Sequence, residues 1–354
     1  MLGPSEFREL VSGRQRGVKA ALLRTALRAL EVPYSAAMRV RNWRYDTGRA
    51  EVHAAGVPVI SVGNITLGGT GKTPVVEWLA RWLLERGVRV GIVSRGYGAK
   101  DGRPNDEAME LAEKLPDVPH VQDADRVCGA QRASGEFGCQ VLVLDDGFQH
   151  RRLKRDFDLV LIDALEPYGF EHVFPRGTLR EPLAGWSRAD AFLLTRADQV
   201  DEQARMAIRK RAVSFAPRAV WAEAAYVPRY LLDATGGEHP LEAFAGKPLA
   251  AFCGIGNPEA FRRSLQDAGC KVAELRVLPD HYAYPAAEVT ALAAWAKSVG
   301  AAAAMCTYKD LVKVRGAWPA GLPLMALASR LEVTGGQTEL EAALTRAIGT
   351  VAEC

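Results

Sequence analysis

The sequence predicts an α/β fold: a mostly parallel sheet flanked by helices, with a second, smaller α/β domain joined to the first by a two-strand connector. Three observations carry this expectation. From residue 57 onward, short continuous apolar segments alternate with helical patterns, the texture of a parallel sheet covered on both faces. The alternation starts afresh near 249, and extended stretches at 220–232 and 322–333 flank that second set. The chain has 354 residues, 48% of them apolar and 25% charged, which suits two soluble domains and excludes disorder or collagen-like repeats.

Residues 1–56 precede the first apolar strand. The first fifty carry ten Lys/Arg against four Asp/Glu, whereas the whole chain has a net charge of only +3, so the basic excess sits at this end. Over roughly 15–31, Val18, Ala21, Leu22, Ala26 and Leu30 recur at helical spacing with Lys19, Arg24 and Arg28 between them. Such a helix suits the headgroup layer of an anionic membrane, and it equally suits docking on its own domain; both uses stay open. The longest apolar run here ends at Arg24, well short of the ~20 residues that span a bilayer. No secretory leader pattern is present, and six scattered cysteines without a CxxC pair point to a reducing compartment rather than disulfides or zinc.

The first domain is expected over 57–218. Strands are predicted at 57–62, 88–93, 139–144, 159–163 and 191–195, and helices at 74–86 and 202–213. The second domain, 219–336 with its connectors, should hold strands at 249–255, 272–277 and 301–306 and helices at 259–268 and 286–298. A last helix, within 337–354, is expected to pack back on the first domain.

The strongest motif is the run Thr66, Leu67, Gly68, Gly69, Thr70, Gly71, Lys72 and Thr73, set between a strand and a helix. A glycine turn of this spacing wraps a phosphate with backbone N–H groups, its lysine reaches the β/γ oxygens, and its threonine hydroxyl suits Mg²⁺. This defines a P-loop NTPase-type domain. Its partner is the apolar strand ending in Asp145 and Asp146, one of which should anchor Mg²⁺ at the strand's carboxyl end. Membrane-cycling ATPases carry an additional lysine where this chain has Leu67, and the guanine-reading pattern of GTPases is only faintly matched by Thr195 to Asp198. A nucleotide-dependent, membrane-associated switch without small-molecule phosphorylation is the alternative reading.

Further motifs follow in order: Ser94-Arg95-Gly96-Tyr97-Gly98, Asp145 to His150, Gly177-Thr178-Leu179-Arg180-Glu181, Gly254 to Pro258, Asp280-His281-Tyr282 and Thr307 to Asp310. With the phosphate loop, this series resembles the tetraacyldisaccharide 4′-kinases, the lipid A 4′-kinase family. The resemblance implies transfer of the γ-phosphate of ATP, with Mg²⁺, to the 4′-hydroxyl of a lipid-linked disaccharide 1-phosphate during lipopolysaccharide synthesis. It implies a peripheral enzyme at the cytoplasmic face of the inner membrane, with an anionic membrane surface as partner, no nucleic acid and no obligate protein partner.

It also implies a base formed by an Asp–His pair, here Asp106 and His281, with Lys72 as the third catalytic residue. The family's glycine before that aspartate is replaced by Asn105. With Asp106 assigned to the first domain and His281 to the second, the pair would form only on closure, a lid that limits futile hydrolysis. Glu107 is a further candidate for orienting Mg²⁺ or water. Arg176, Arg180, Arg126 and Arg95 are candidates for anion contacts with the acceptor, because guanidinium pairs bidentately with phosphate.

Overall fold

A computed structural model describes residues 3–96, 106–279 and 282–349. Asp280 and His281 lie outside the described residues, as do Tyr97, Gly98 and Asn105 and the side chain of Asp106. In chain order the elements begin with helices α1 (Pro4–Val11) and α2 (Val18–Asp46), strand β1 (Val59–Gly63), helix α3 (Lys72–Leu84) and strand β2 (Val90–Ser94). Then come α4 (Asp106–Lys114), β3 (His120–Gln122), α5 (Arg126–Gly135), β4 (Val141–Asp145), β5 (Phe157–Asp163), β6 (Ala191–Thr195) and α6 (Glu202–Phe215). The remainder is β7 (Val220–Asp233), β8 (Glu238–His239), β9 (Pro248–Cys253), α7 (Pro258–Asp267), β10 (Lys271–Val277), α8 (Ala286–Ser298), β11 (Ala303–Thr307), α9 (Tyr308–Val314), β12 (Leu324–Gly335) and α10 (Gln337–Ile348).

The chain forms two compact units. Unit 1 comprises residues 1–97, 115–225 and 333–354, and unit 2 comprises 98–114 and 226–332. The chain passes from unit 1 to unit 2 within β7 and returns within β12. In unit 1 the strand order is β7-β6-β5-β1-β4-β2-β3, with every neighbouring pair parallel. Strands β1, β2, β5 and β6 are buried along their whole length, which is why each reads as an unbroken apolar run. In unit 2 the order β10-β9-β11-β12 is likewise parallel, and β8 pairs antiparallel with the unit 2 end of β7.

Two expectations change. The helix foreseen at 15–31 runs on through Pro33 to Asp46. Proline lacks the N–H an interior helical position needs, and tertiary bonds supply the compensation. Glu31 accepts from the Val173 amide at 2.8 Å, Tyr34 donates to the Arg180 carbonyl at 3.1 Å, and Asn42 donates to Glu181 at 2.7 Å.

The second change concerns α4. The sequence pattern leaves 106–114 in the first domain, yet this helix packs in unit 2: Tyr308 and Arg315 donate to Glu113, both at 2.6 Å. The placement of Asp106 in the first domain is thereby corrected, and the argument that its pairing with His281 requires domain closure falls with it.

Candidate active site

The phosphate loop leaves β1 after Gly63 and enters α3 at Lys72. Gly68 and Gly71 hold φ of +114° and +80°, which L side chains rarely adopt, so the glycine spacing is a backbone requirement. Asn64, fully buried, ties the two ends together. Its amide donates to the Thr66 carbonyl at 2.7 Å and to Thr66 Oγ1 at 2.9 Å, while its Oδ1 accepts from Lys72 Nζ at 3.2 Å.

Both flanks of the loop are braced. On one side the Leu67 amide donates to Thr178 at 2.6 Å and the Arg180 amide donates to Ile65 at 2.7 Å. On the other, Thr195 Oγ1 donates to the Thr70 carbonyl at 3.1 Å and Arg196 donates to the Gly69 carbonyl at 3.2 Å, with Arg196 itself paired to Asp163. Thr195 and Arg196, the first half of the faint guanine-like pattern, thus hold the loop by its carbonyls.

The acidic turn after β4 lies beside this loop. Residue Asp145 ends the strand opposite Val62 of β1, and Asp146 adopts φ +54°, so the two carboxylates leave the backbone in different directions. Asp146 accepts from Arg180 Nη1 at 2.9 and 2.7 Å and faces Lys72 Nζ at 3.4 Å. Burial alone would raise its pKa; the charges of Lys72 and Arg180 and their hydrogen bonds outweigh burial and hold it at about 2. Arg126 joins the cluster: burial lowers its pKa, the charges of Asp146, Arg95, Asp145 and Arg180 act on it, and its Nε is buried without a hydrogen-bond partner among the described residues. Lys72, Arg95, Arg126 and Arg180 around two carboxylates make a cationic site suited to a polyanion. His150 is kept neutral near pH 7, its pKa pushed down to about 4 by burial and by Arg126.

The structure gathers Lys72, Asp145, Asp146, Arg95, Arg126 and Arg180, but it uses Arg176 differently, donating to the Val11 carbonyl at 3.0 Å. Glu107 belongs to unit 2, where Lys309 donates to it at 3.3 Å. Sequence reasoning missed Asn64, Gln149 and Glu181 as supports of the site. Gln149 Nε2 donates to the Asn64 carbonyl at 2.9 Å and to Glu181 at 3.0 Å, and the fully buried Glu181 is paired with Arg188 at 2.8 Å. The signal was available, since a glutamate, a glutamine and an asparagine next to chemical motifs are costly to bury unless bonded.

The Thr307 to Asp310 and Gly254 motifs answer to each other inside unit 2. Asp310, fully buried, accepts from the Gly254 amide at 3.1 Å, Tyr284 Oη at 2.8 Å and Thr307 Oγ1 at 2.6 Å.

Among the described residues no cluster of three or more His, Cys, Asp or Glu could cage a metal ion. Mg²⁺ is ordinarily bound through one or two carboxylates together with substrate phosphates. The hard oxygen donors Thr73, Asp145 and Asp146, flanking the loop, therefore fit that ion.

A strand, a braced glycine loop, a lysine at the start of the following helix and an acid turn on the adjacent parallel strand define a nucleotide-binding P-loop protein. Within that class the motifs of both units narrow the choice. Residues 23–349 match the family model described as Tetraacyldisaccharide-1-P 4′-kinase, and the chain belongs to this family. The tetraacyldisaccharide 4′-kinase of Anaeromyxobacter sp. (strain K) is 37% identical over 360 residues, covering 96% of this chain and 95% of the relative. That of Desulfatibacillum aliphaticivorans is 38% identical over 333 residues, covering 88% and 89%. Among solved structures, LpxK from Aquifex aeolicus in complex with ATP is similar at a TM-score of 0.73 and 30% identity, covering 92% of this chain and all of that one.

Proposed function

We infer that the protein transfers the γ-phosphoryl group of ATP to the 4′-hydroxyl of a tetraacyldisaccharide 1-phosphate, the kinase step of lipid A synthesis. The observation that carries this reading is the Lys72–Asp146–Arg180 cluster at the braced glycine loop, in a chain whose family is a 4′-kinase family. Backbone N–H groups of the loop and the start of α3 bind the phosphates. Lys72 neutralises charge between the β- and γ-phosphates, and Arg180 and Arg126 extend that positive field. Thr73 with the acids ending β4 would hold Mg²⁺, which when bound screens phosphate charge.

A sugar hydroxyl needs a base to take its proton as it attacks. That role we give to Asp106 with His281, through the family motif; Glu107, next to Asp106 in the sequence, is oriented by Lys309.

The acyl chains of such an acceptor reside in a bilayer, and α2 supports a peripheral location. It docks through Glu31, Tyr34 and Asn42, yet leaves Val18, Leu22, Leu30, Val32, Val40 and Trp43 exposed among its basic residues. Among the described residues no helix is long and apolar enough to cross a membrane. We place the enzyme on the cytoplasmic face of the inner membrane, held by apolar insertion and anionic lipid. Incubation with γ-labelled ATP, Mg²⁺ and the lipid acceptor, beside simple sugars, tests the reading. Label in the lipid alone supports it; release of free phosphate without lipid labelling favours a nucleotide switch instead.

A further inference from the structure

Helix α1 lies ahead of the family-matched stretch, which starts at residue 23. It is nonetheless firmly seated. Leu10 and Val11 are buried, the Phe7 ring meets Phe174 at 6.2 Å, Arg176 donates to the Val11 carbonyl at 3.0 Å, and Arg24 reaches the Leu10 carbonyl at 3.4 Å. This seat directs Arg8 at the phosphate loop. Its Nη2 stands 2.5 Å from where a Cβ on Gly68 would be, so the guanidinium lies directly against that glycine.

The approach is held by the loop's own support. Arg8 Nη2 faces Glu166 at 3.8 Å, Glu166 accepts from Thr178 Oγ1 at 2.7 Å, and the Thr178 carbonyl accepts the Leu67 amide at 2.6 Å. At 3.8 Å the Arg8–Glu166 contact is a charge attraction rather than a hydrogen bond, so the guanidinium keeps donors for another anion. Gly68 and Gly69 are exposed, so a ligand can reach both them and Arg8.

We propose that Arg8 is a phosphate ligand, supplied from within the chain, that contacts the γ-phosphate of the bound nucleotide. The proposal rests on the nucleotide-binding reading above. The loop's backbone covers the inner phosphates and Lys72 reaches the β/γ junction, so a guanidinium over the exposed limb at Gly68 meets the outer one. A cation there also stabilises the charge of the transferring phosphoryl group.

The test is calorimetric titration of the full-length protein with MgATP and MgADP, without lipid acceptor, for wild type, Arg8→Ala and Arg8→Lys. ATP affinity should fall about tenfold in Arg8→Ala, ADP affinity should stay unchanged, and Arg8→Lys should recover part of the loss. Equal losses for ATP and ADP, or unchanged ATP affinity, overturn the proposal. A wild-type protein that binds neither nucleotide would instead overturn the reading on which it rests.

Discussion

The close approach of β1 to the acid turn offers a severe test of how the site is built. A Cβ placed on Gly63 would lie 2.6 Å from Phe148 Cβ and 2.7 Å from the Phe148 backbone nitrogen, whereas ordinary contact begins at 3.4 Å. Gly63→Ala must therefore push strand and turn apart by about 0.8 Å (3.4 less 2.6). Phe148 cannot yield easily, because it is fully buried with the Arg188 guanidinium 4.4 Å over its ring. The shift then passes to Asp145 and Asp146, which are tied to β1 through the Val62–Asp145 register and the Gly147 amide to Val62 carbonyl bond at 3.3 Å. Overpacking of this kind costs about 1–3 kcal/mol, and misplacing a reacting constellation by about 1 Å costs roughly a hundredfold in rate. Urea unfolding and steady-state kcat with ATP and lipid acceptor should record both losses. Wild-type stability together with wild-type kcat in Gly63→Ala would refute the reasoning.

Other perturbations probe separate parts of the account. Asp106→Ala and His281→Ala should each lower kcat by about a hundredfold or more while ATP affinity persists; near-normal turnover in either removes that residue from the base. Asp146 is held at about pKa 2 against burial by Lys72 and Arg180, so the stability its ionised form contributes is present above the unfolded value near 4 and is lost only as pH falls through about 2. Arg180→Met leaves burial opposed by Lys72 alone, so the acid limb of stability should move up by about one pH unit or more in urea titrations between pH 3 and 7; an unmoved limb contradicts the clamp. Deleting residues 1–30, or raising salt, should release the protein from anionic vesicles, at about 1 kcal/mol per basic residue lost or screened; equal sedimentation of the truncated form discredits the anchor.

What could be read in the sequence was what depends on neighbours along the chain. Gly68, Gly71, Lys72 and Thr73 are spaced by the requirements of one turn and one helix start, and strands β1, β2, β5 and β6 declare themselves because they are buried along their whole length. What could not be read depends on distant partners. The clamp on Asp146 comes from Arg180, thirty-four positions on. Past Pro33, helix α2 is held by bonds to residues 173–181 far along the chain, and α4 is drawn into unit 2 by Tyr308, 195 positions away from Glu113. Charge alone could not say that Arg176 would serve the N-terminal helix and Arg180 the acid turn, since the two differ only in what the fold sets opposite them.

The central claim is that the loop ending at Lys72 presents a triphosphate to one particular alcohol of a membrane-borne sugar. Mass and fragmentation analysis of the lipid product tests it most directly, with Lys72→Ala run in parallel. The account predicts one added phosphoryl group on the 4′-oxygen of the sugar distal to the 1-phosphate, absent from the Lys72→Ala reaction. Phosphate at another position, or an unchanged lipid alongside ATP hydrolysis, would contradict it.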